Sequence, residues 1–178
     1  CTTLQRMLES AGEAASIMMA RQVSAMGCSI AKDQYGNYII QHVLGLTLAS
    51  CLESRTVLFN SLKGSFLSLS IHPYGSNIVE KCLKMGDVER SAVVAELTAT
   101  AADTETKEDI DSGSDQAKHG SSKSGKGFGS KQGKTLEDLI VHPYGNYVAQ
   151  SALMLCSEEE LSMFQARLEA FAEASDKH

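Results

Sequence analysis

All five tyrosines and both prolines of this 178-residue chain fall into three short stretches. They read Tyr35-Gly36-Asn37-Tyr38-Ile39-Ile40-Gln41, Pro73-Tyr74-Gly75-Ser76-Asn77-Ile78-Val79-Glu80 and Pro143-Tyr144-Gly145-Asn146-Tyr147-Val148-Ala149-Gln150. One template, Tyr-Gly-polar-(Tyr/Asn)-apolar-apolar-(Gln/Glu), covers all three. A recurring word of this kind constrains the fold strongly, because a unit too small to bury its own apolar face must stack on copies of itself. From Asn37 to Ser76 is 39 residues and from Ser76 to Asn146 is 70. A degenerate copy, Cys1-Thr2-Thr3-Leu4-Gln5, lies 36 residues before Asn37. The long interval therefore holds one period plus an insertion.

The insertion shows in the composition. Residues 98 to 134 contain six Gly, six Ser, six Lys and six acids, with Ile110 and Phe128 as the large apolar side chains. Such a segment buries too little apolar surface to offset chain ordering and is expected to be a disordered, low-complexity tether. Its six acids precede five of its six lysines, which leaves open a basic arm that touches phosphates or a phosphorylated regulatory segment.

Elsewhere the period is helical. Leu161, Phe164, Leu168 and Phe171 form an amphipathic stripe, with Ser157 and Glu160 as a capping box in front of it. Val57, Leu58, Ser61 and Leu62 mark a second helix; Val93, Val94 and Leu97 mark a third, with Asp87 as its N-cap. Thr135 with Asp138 starts a short helix ending at His142-Pro143. Gly36, Gly75 and Gly145 are assigned to turns where a permissive backbone helps. Each period thus reads as a short helix, a turn, a motif helix and a longer outer helix, which predicts an all-α solenoid. The expected organisation is a partial repeat over 1–21, repeats around 22–60 and 61–97, the insertion over 98–134, and a last repeat over 135–178.

On a motif helix, template positions one and five lie on one face and position two about 100° round. Positions three and four turn the other way and are expected between layers. Each repeat then presents two hydrogen-bonding side chains and one flat side chain to a common surface. A ladder of that kind suits unstacked bases, with edges read by hydrogen bonds and faces sandwiched.

These motifs resemble the Pumilio, or PUF, RNA-binding repeats, and the resemblance covers essentially the whole chain except the insertion. It implies a right-handed α-solenoid of three-helix repeats that reads one base per repeat. Asn37 and Gln41 match the pair that reads uracil, with Tyr38 stacking. Ser76 and Glu80 match the guanine pair, with Asn77 at the stacking position; a carboxylate suits the N1–H and N2–H2 donors of that base. Asn146 and Gln150 match the uracil pair again, with Tyr147 stacking. Cys1 and Gln5 resemble the adenine pair, with Thr2 where an arginine or aromatic is usual. Family proteins run antiparallel to RNA, so the implied word is 5′-UGUA-3′, an element of messenger-RNA 3′ untranslated regions. The implied role is post-transcriptional repression or decay, with repressor or deadenylation-type protein partners, in the cytoplasm. The chain looks like the C-terminal half of a family domain, about repeats five to eight, beginning inside a recognition helix. A solenoid scaffold without RNA binding, and a nucleolar relative with little sequence preference, are the alternatives.

Composition bounds the rest. The net charge of −6 sits entirely outside the neutral insertion, so the reading face is expected to be less negative than the whole. Five cysteines without a CxxC pair fit a reduced chain rather than a disulfide framework or zinc site. Cys82 and Cys156 are expected to be core thiols, and Met18, Met19 and Met26 to pack between helices. His72 and His142 recur at equivalent positions without a ligand cluster, which favours a turn role over metal binding. No nucleophile–base pair or phosphate-cradling loop stands out. The expectation is a non-enzyme without cofactor, metal, membrane span or small-molecule substrate. Its first residue, Cys1, leads us to expect a piece of a longer protein.

Overall fold

The computed structural model describes residue 6 and residues 13–47, 49–99 and 135–175. Among these, every regular element is helical: α1 (Glu13–Ala31), α2 (Gly36–Leu44), a 3-10 turn (Ala49–Cys51), α3 (Leu52–Leu62), α4 (Phe66–Ser70), α5 (Gly75–Leu83), α6 (Asp87–Thr98), α7 (Leu136–Val141), α8 (Gly145–Leu155) and α9 (Glu158–Ser175). Cys1, Thr2 and Gln5, the reading residues expected in the partial repeat, lie outside the described residues, as does the insertion from residue 100 to 134.

The elements fall into triplets of short helix, motif helix and outer helix. Two are plain: α4–α5–α6 and α7–α8–α9. The third is masked by a kink. Gly27 interrupts α1 at φ +35° and ψ −120°, a conformation that costs an L side chain steric strain. A Cβ there would also collide with Ser61 of α3. The kink turns the last four residues of α1 into the short helix that precedes α2 and α3.

The motif helices lie side by side, α2 on α5 and α5 on α8, while outer helix α1 packs on α3 and α6 on α9. Template positions three and four supply the core between them. Ile40, Ile78, Val79, Val148 and Ala149 are buried, joined by Val43, Leu44, Cys82, Leu83 and Ala152 one turn on; Ile39 is half-buried. Each buried aliphatic side chain contributes roughly 1.5–3 kcal/mol. The fold is an all-α solenoid of three-helix repeats, as the sequence predicts.

Several local expectations hold and others are corrected. The capping box forms: the Glu160 N–H donates to Ser157 Oγ at 3.3 Å and the Ser157 N–H to Glu160 Oε2 at 2.8 Å. Thr135 caps α7, accepting from the Asp138 N–H. Asp87, however, is the first residue inside α6 rather than its cap. Extended Gly86 holds the cap position, and the Asp87 carboxylate instead accepts from Arg90 at 3.0 Å. Of the α9 stripe only Phe164 is buried; Leu161, Leu168 and Phe171 are exposed, because α6 and α7 cover one side of that helix. Val57 is likewise exposed on α3, as are Met18 and Met26 on α1, against the packing role expected of them. Cys82 is a core thiol, pushed up to about 12 chiefly by burial. Cys156 is only half-buried and donates to the Leu153 carbonyl.

The motif glycines do a different job from the one composition suggests. Gly36, Gly75 and Gly145 are each the first residue of their helix, and among the described residues the glycines with positive φ are Gly27 and Gly64. What excludes a side chain is space. A Cβ would stand 2.7 Å from the Ile30 carbonyl oxygen at Gly36, 2.7 Å from that of Leu69 at Gly75, and 2.5 Å from that of Leu139 at Gly145. The motif helix starts pressed against the short helix before it.

Candidate nucleic-acid interface

Each motif helix begins on the same electrostatic device, built from three different sequences. In α2 the Asp33 Oδ1 accepts from the N–H groups of Tyr35 at 2.8 Å and Gly36 at 2.6 Å. In α5 the acceptor is His72 Nδ1, 3.2 Å from the Tyr74 nitrogen and 3.3 Å from that of Gly75. In α8 it is His142 Nδ1, at 3.2 Å from Tyr144 and 3.5 Å from Gly145. Two orphan donors of the first turn are thereby satisfied. The histidines are turn residues as expected; Asp33 escapes a residue-type search because only its acceptor chemistry matches theirs.

This use fixes protonation. The Gly36 and Tyr35 N–H groups hold the Asp33 carboxyl below its usual range. Burial, with the Lys32 charge second, lowers the His72 pKa from its ordinary value. A base depressed by folding contributes stability in full above its unfolded value of about 6.5 and loses it as pH falls through the folded value. His72→Asp, which copies Asp33, is expected to flatten the fall in thermal midpoint between pH 7 and pH 5. An unchanged slope in melts of the two proteins would contradict the capping role.

The positions expected to read bases stand one turn further on. Asn37 is buried and donates from Nδ2 to the carbonyls of Asp33 at 3.0 Å and Gln34 at 2.9 Å. Its Oδ1 accepts from Gln41 Nε2 at 3.0 Å. Asn37 thus orients Gln41, a half-buried side chain whose oxygen and second N–H have no partner among the described residues. In α5 Ser76 is buried, and Glu80 is partly exposed, with Oε2 3.4 Å from Ser151 Oγ of the next repeat and 3.9 Å from Lys84 Nζ. Its Oε1 has no partner among the described residues. In α8 the Asn146 Oδ1 is buried without a hydrogen-bond partner among the described residues, and Gln150 is exposed. At position two, Tyr38 and Tyr147 expose half or more of their surface, and Asn77 is exposed with Nδ2 turned back to the Pro73 carbonyl at 3.4 Å.

The structure therefore brings Gln41, Glu80 and Gln150 onto three motif helices packed in succession, with planar tyrosines at the flanking position in two of them. Sequence reasoning missed Ser151, which steadies the Glu80 carboxylate across the repeat boundary, and Lys84, which sits one helical turn beyond it. An i, i+4 spacing from Glu80 points to Lys84; nothing local points to Ser151. Among the described residues no group of three His, Cys, Asp or Glu side chains is placed to hold a metal ion.

The outer side is tied by charged contacts, among them a second use of Glu160, that sequence reasoning did not single out. Glu96 of α6 accepts from the N–H groups of Gly64 at 2.7 Å and Phe66 at 2.6 Å, at the start of α4. Buried Glu160 of α9 accepts from Arg90 Nε at 2.9 Å and from the Ser91 hydroxyl. The first ties the outer helix of a repeat to the start of its own short helix; the second joins neighbouring repeats. The carboxylates of Glu158 and Glu159 are exposed on the outer helix α9.

Comparison with known proteins gives the same pattern. The profile of the Pumilio-family RNA binding repeat matches residues 28–45, 65–98 and 137–164. Over 155 residues the chain is 28% identical to Pumilio homolog 12 of Arabidopsis thaliana, covering 86% of this chain and 20% of that protein. It is 32% identical over 100 residues to Pumilio homolog 11 of the same plant, covering 56% of this chain and 17% of that one. The chain thus spans about a fifth of the length of these relatives. In fold it is similar to the Puf3 RNA binding domain bound to a Cox17 RNA 3′ UTR recognition sequence, with a TM-score of 0.69 at 18% identity over 98% of this chain and 46% of that one. It is also similar to PUF-8 in complex with PBE-RNA, with a TM-score of 0.68 at 21% identity over 96% of this chain and 41% of that one. The repeat profile falls within each of the three triplets and the fold is shared along nearly the whole chain, so the triplets are matches to the Pumilio-family repeat.

Proposed function

We propose that this chain binds single-stranded RNA one base per repeat and selects 5′-UGUA-3′. The observation that carries the reading is the single row of Gln41, Glu80 and Gln150 on packed helices α2, α5 and α8. The residues follow the order uracil, guanine, uracil when read against an antiparallel strand. Gln41 offers an acceptor beside a donor, the complement of the uracil N3–H and its adjacent carbonyl. Glu80 offers acceptors only, the complement of guanine N1–H and N2–H2. Gln150 with Asn146 repeats the uracil chemistry. Cys1 and Gln5, with Thr2 beside them, are assigned the adenine.

Tyr38 and Tyr147 supply stacking faces, and Asn77 takes the same position in the guanine repeat. The role that follows is occupation of messenger-RNA 3′ untranslated regions, with repressor or deadenylation-type partners acting on the bound transcript. A cytoplasmic site of action is part of the proposal.

Strand direction gives a direct test. Because U-G-U reads the same in both directions, direction is carried by the adenine: the chain is expected to bind an oligonucleotide carrying 5′-UGUA-3′ more tightly than one carrying the reversed word 5′-AUGU-3′, and equal affinity for the two would remove the adenine from the 3′ end of the word. Tyr147→Ala is expected to weaken binding by about 1–3 kcal/mol, the usual worth of a base–aromatic stack, with little change in base preference. An unaltered dissociation constant in a fluorescence anisotropy titration would remove stacking from that position.

A further inference from the structure

Between the first two complete triplets lies a groove of about 210 Å³ lined by Leu44, Gly45, Thr47, Arg55, Lys81, Lys84 and Met85. Three of its side chains are cations and none is a carboxylate, in a chain of net charge −6. Arg55 comes from outer helix α3 and reaches across to donate from Nη2 to the Met85 carbonyl at 3.1 Å, which fixes its guanidinium while leaving other N–H groups for a ligand. Lys81 lies over the end of α2, its Nζ 3.1 Å from where a Cβ on Gly45 would stand. It has no ion pair among the described residues. Lys84 is the cap residue of α5 and touches Glu80 at 3.9 Å.

Helix ends account for part of this charge and not for all of it. The C-terminal ends of α2 and α5 present roughly half a negative charge each, and Glu80 shares its charge with Lys84 alone of the three. Three cations against those partners leave about one positive charge in excess. The space admits a phosphate group and several waters, at about 30 Å³ for each water.

We infer that this groove is a phosphate subsite: Arg55, Lys81 and Lys84 hold the phosphodiester joining the base read by Asn37 and Gln41 to the base read by Ser76 and Glu80. The inference rests on the RNA reading proposed above. Its position supports it, since Lys84 lies one helical turn beyond the guanine-reading carboxylate and Lys81 directly follows that residue. A diester carries one negative charge, which matches the excess.

The test is the salt dependence of binding by the full chain to a UGUA oligonucleotide, compared between wild type, Lys81→Gln and Lys63→Gln. Lys63 is the control, an exposed lysine at the end of outer helix α3. Loss of one phosphate contact lowers the slope of log K against log salt by about 0.7 for a single strand. Lys81→Gln is expected to show that drop and to weaken binding equally for UGUA and for the word with guanine replaced. Lys63→Gln is expected to keep the wild-type slope. A wild-type slope in Lys81→Gln, or a loss confined to the guanine-containing word, would overturn the phosphate subsite while leaving the base-reading proposal standing. If wild type shows no guanine preference but Lys81→Gln still loses slope, base reading fails and the phosphate subsite survives. Absence of RNA binding by wild type overturns both.

Discussion

Replacing Glu80 by Gln is expected to relax the choice of guanine, or switch it, at a cost of about 1–3 kcal/mol of discrimination, roughly 5- to 150-fold in relative affinity. The two side chains have nearly the same shape, so the change isolates charge and donor pattern. A carboxylate presents acceptors to both guanine donors; an amide turns one of them into a donor facing a donor. The setting of Glu80 sharpens the effect. Its Oε2 is held from the side by Ser151 Oγ at 3.4 Å and by Lys84 at 3.9 Å, so the group is oriented before a base arrives. Competition titrations with the four single-base variants of the word read the result directly. A variant that prefers guanine as strongly as wild type would displace the register by which Ser76 and Glu80 form one reading pair.

The second large effect falls on stability. Gly145→Ala places a methyl carbon 2.5 Å from the Leu139 carbonyl oxygen and 2.9 Å from Leu139 Cδ1. Backbone atoms cannot turn aside, so either α8 or α7 must move. Overpacking of this kind costs about 1–3 kcal/mol, against a gain of up to about 1 kcal/mol from replacing glycine in a helix. The net is destabilising, with the thermal midpoint expected to fall by about 2–8 °C. RNA affinity should fall with it, because Asn146 and Tyr147 are the next two residues of the displaced helix. A midpoint equal to or above that of wild type would mean that the close approach of α7 and α8 is not what the glycine protects.

Much of this architecture can be read in the chain, for reasons that differ by feature. The motif helices and their buried faces follow from local spacing, as Ile40, Ile78, Val79 and Val148 demonstrate by burial. The capping box of Ser157 and Glu160 is equally local. The glycines were legible as special but not for the right reason. The obstacle lies six residues earlier each time, at Ile30, Leu69 and Leu139, and the recurring large aliphatic residue at that spacing is the signal. Asp33 was hidden because an aspartate stands where the other repeats use histidine, although the hydrogen bonds are the same. The kink at Gly27 interrupts a helix whose flanking residues carry no breaker. Contacts between repeats were the least legible. Ser151 on Glu80, Arg55 on Met85, and Glu160 on Arg90 join residues 30 or more positions apart, and no period in the sequence specifies which side chains meet there.

The central claim is that three adjacent helices each read one base, with guanine in the middle. The measurement that tests it most directly is binding of the chain to a short RNA carrying UGUA and to the same RNA with only the guanine changed, at one fixed salt concentration near physiological. The structure of the Glu80 site predicts tight binding to the first and a loss of about 1–3 kcal/mol or more on the second. Equal affinity for both would contradict base reading by these repeats and leave a helical solenoid with another partner.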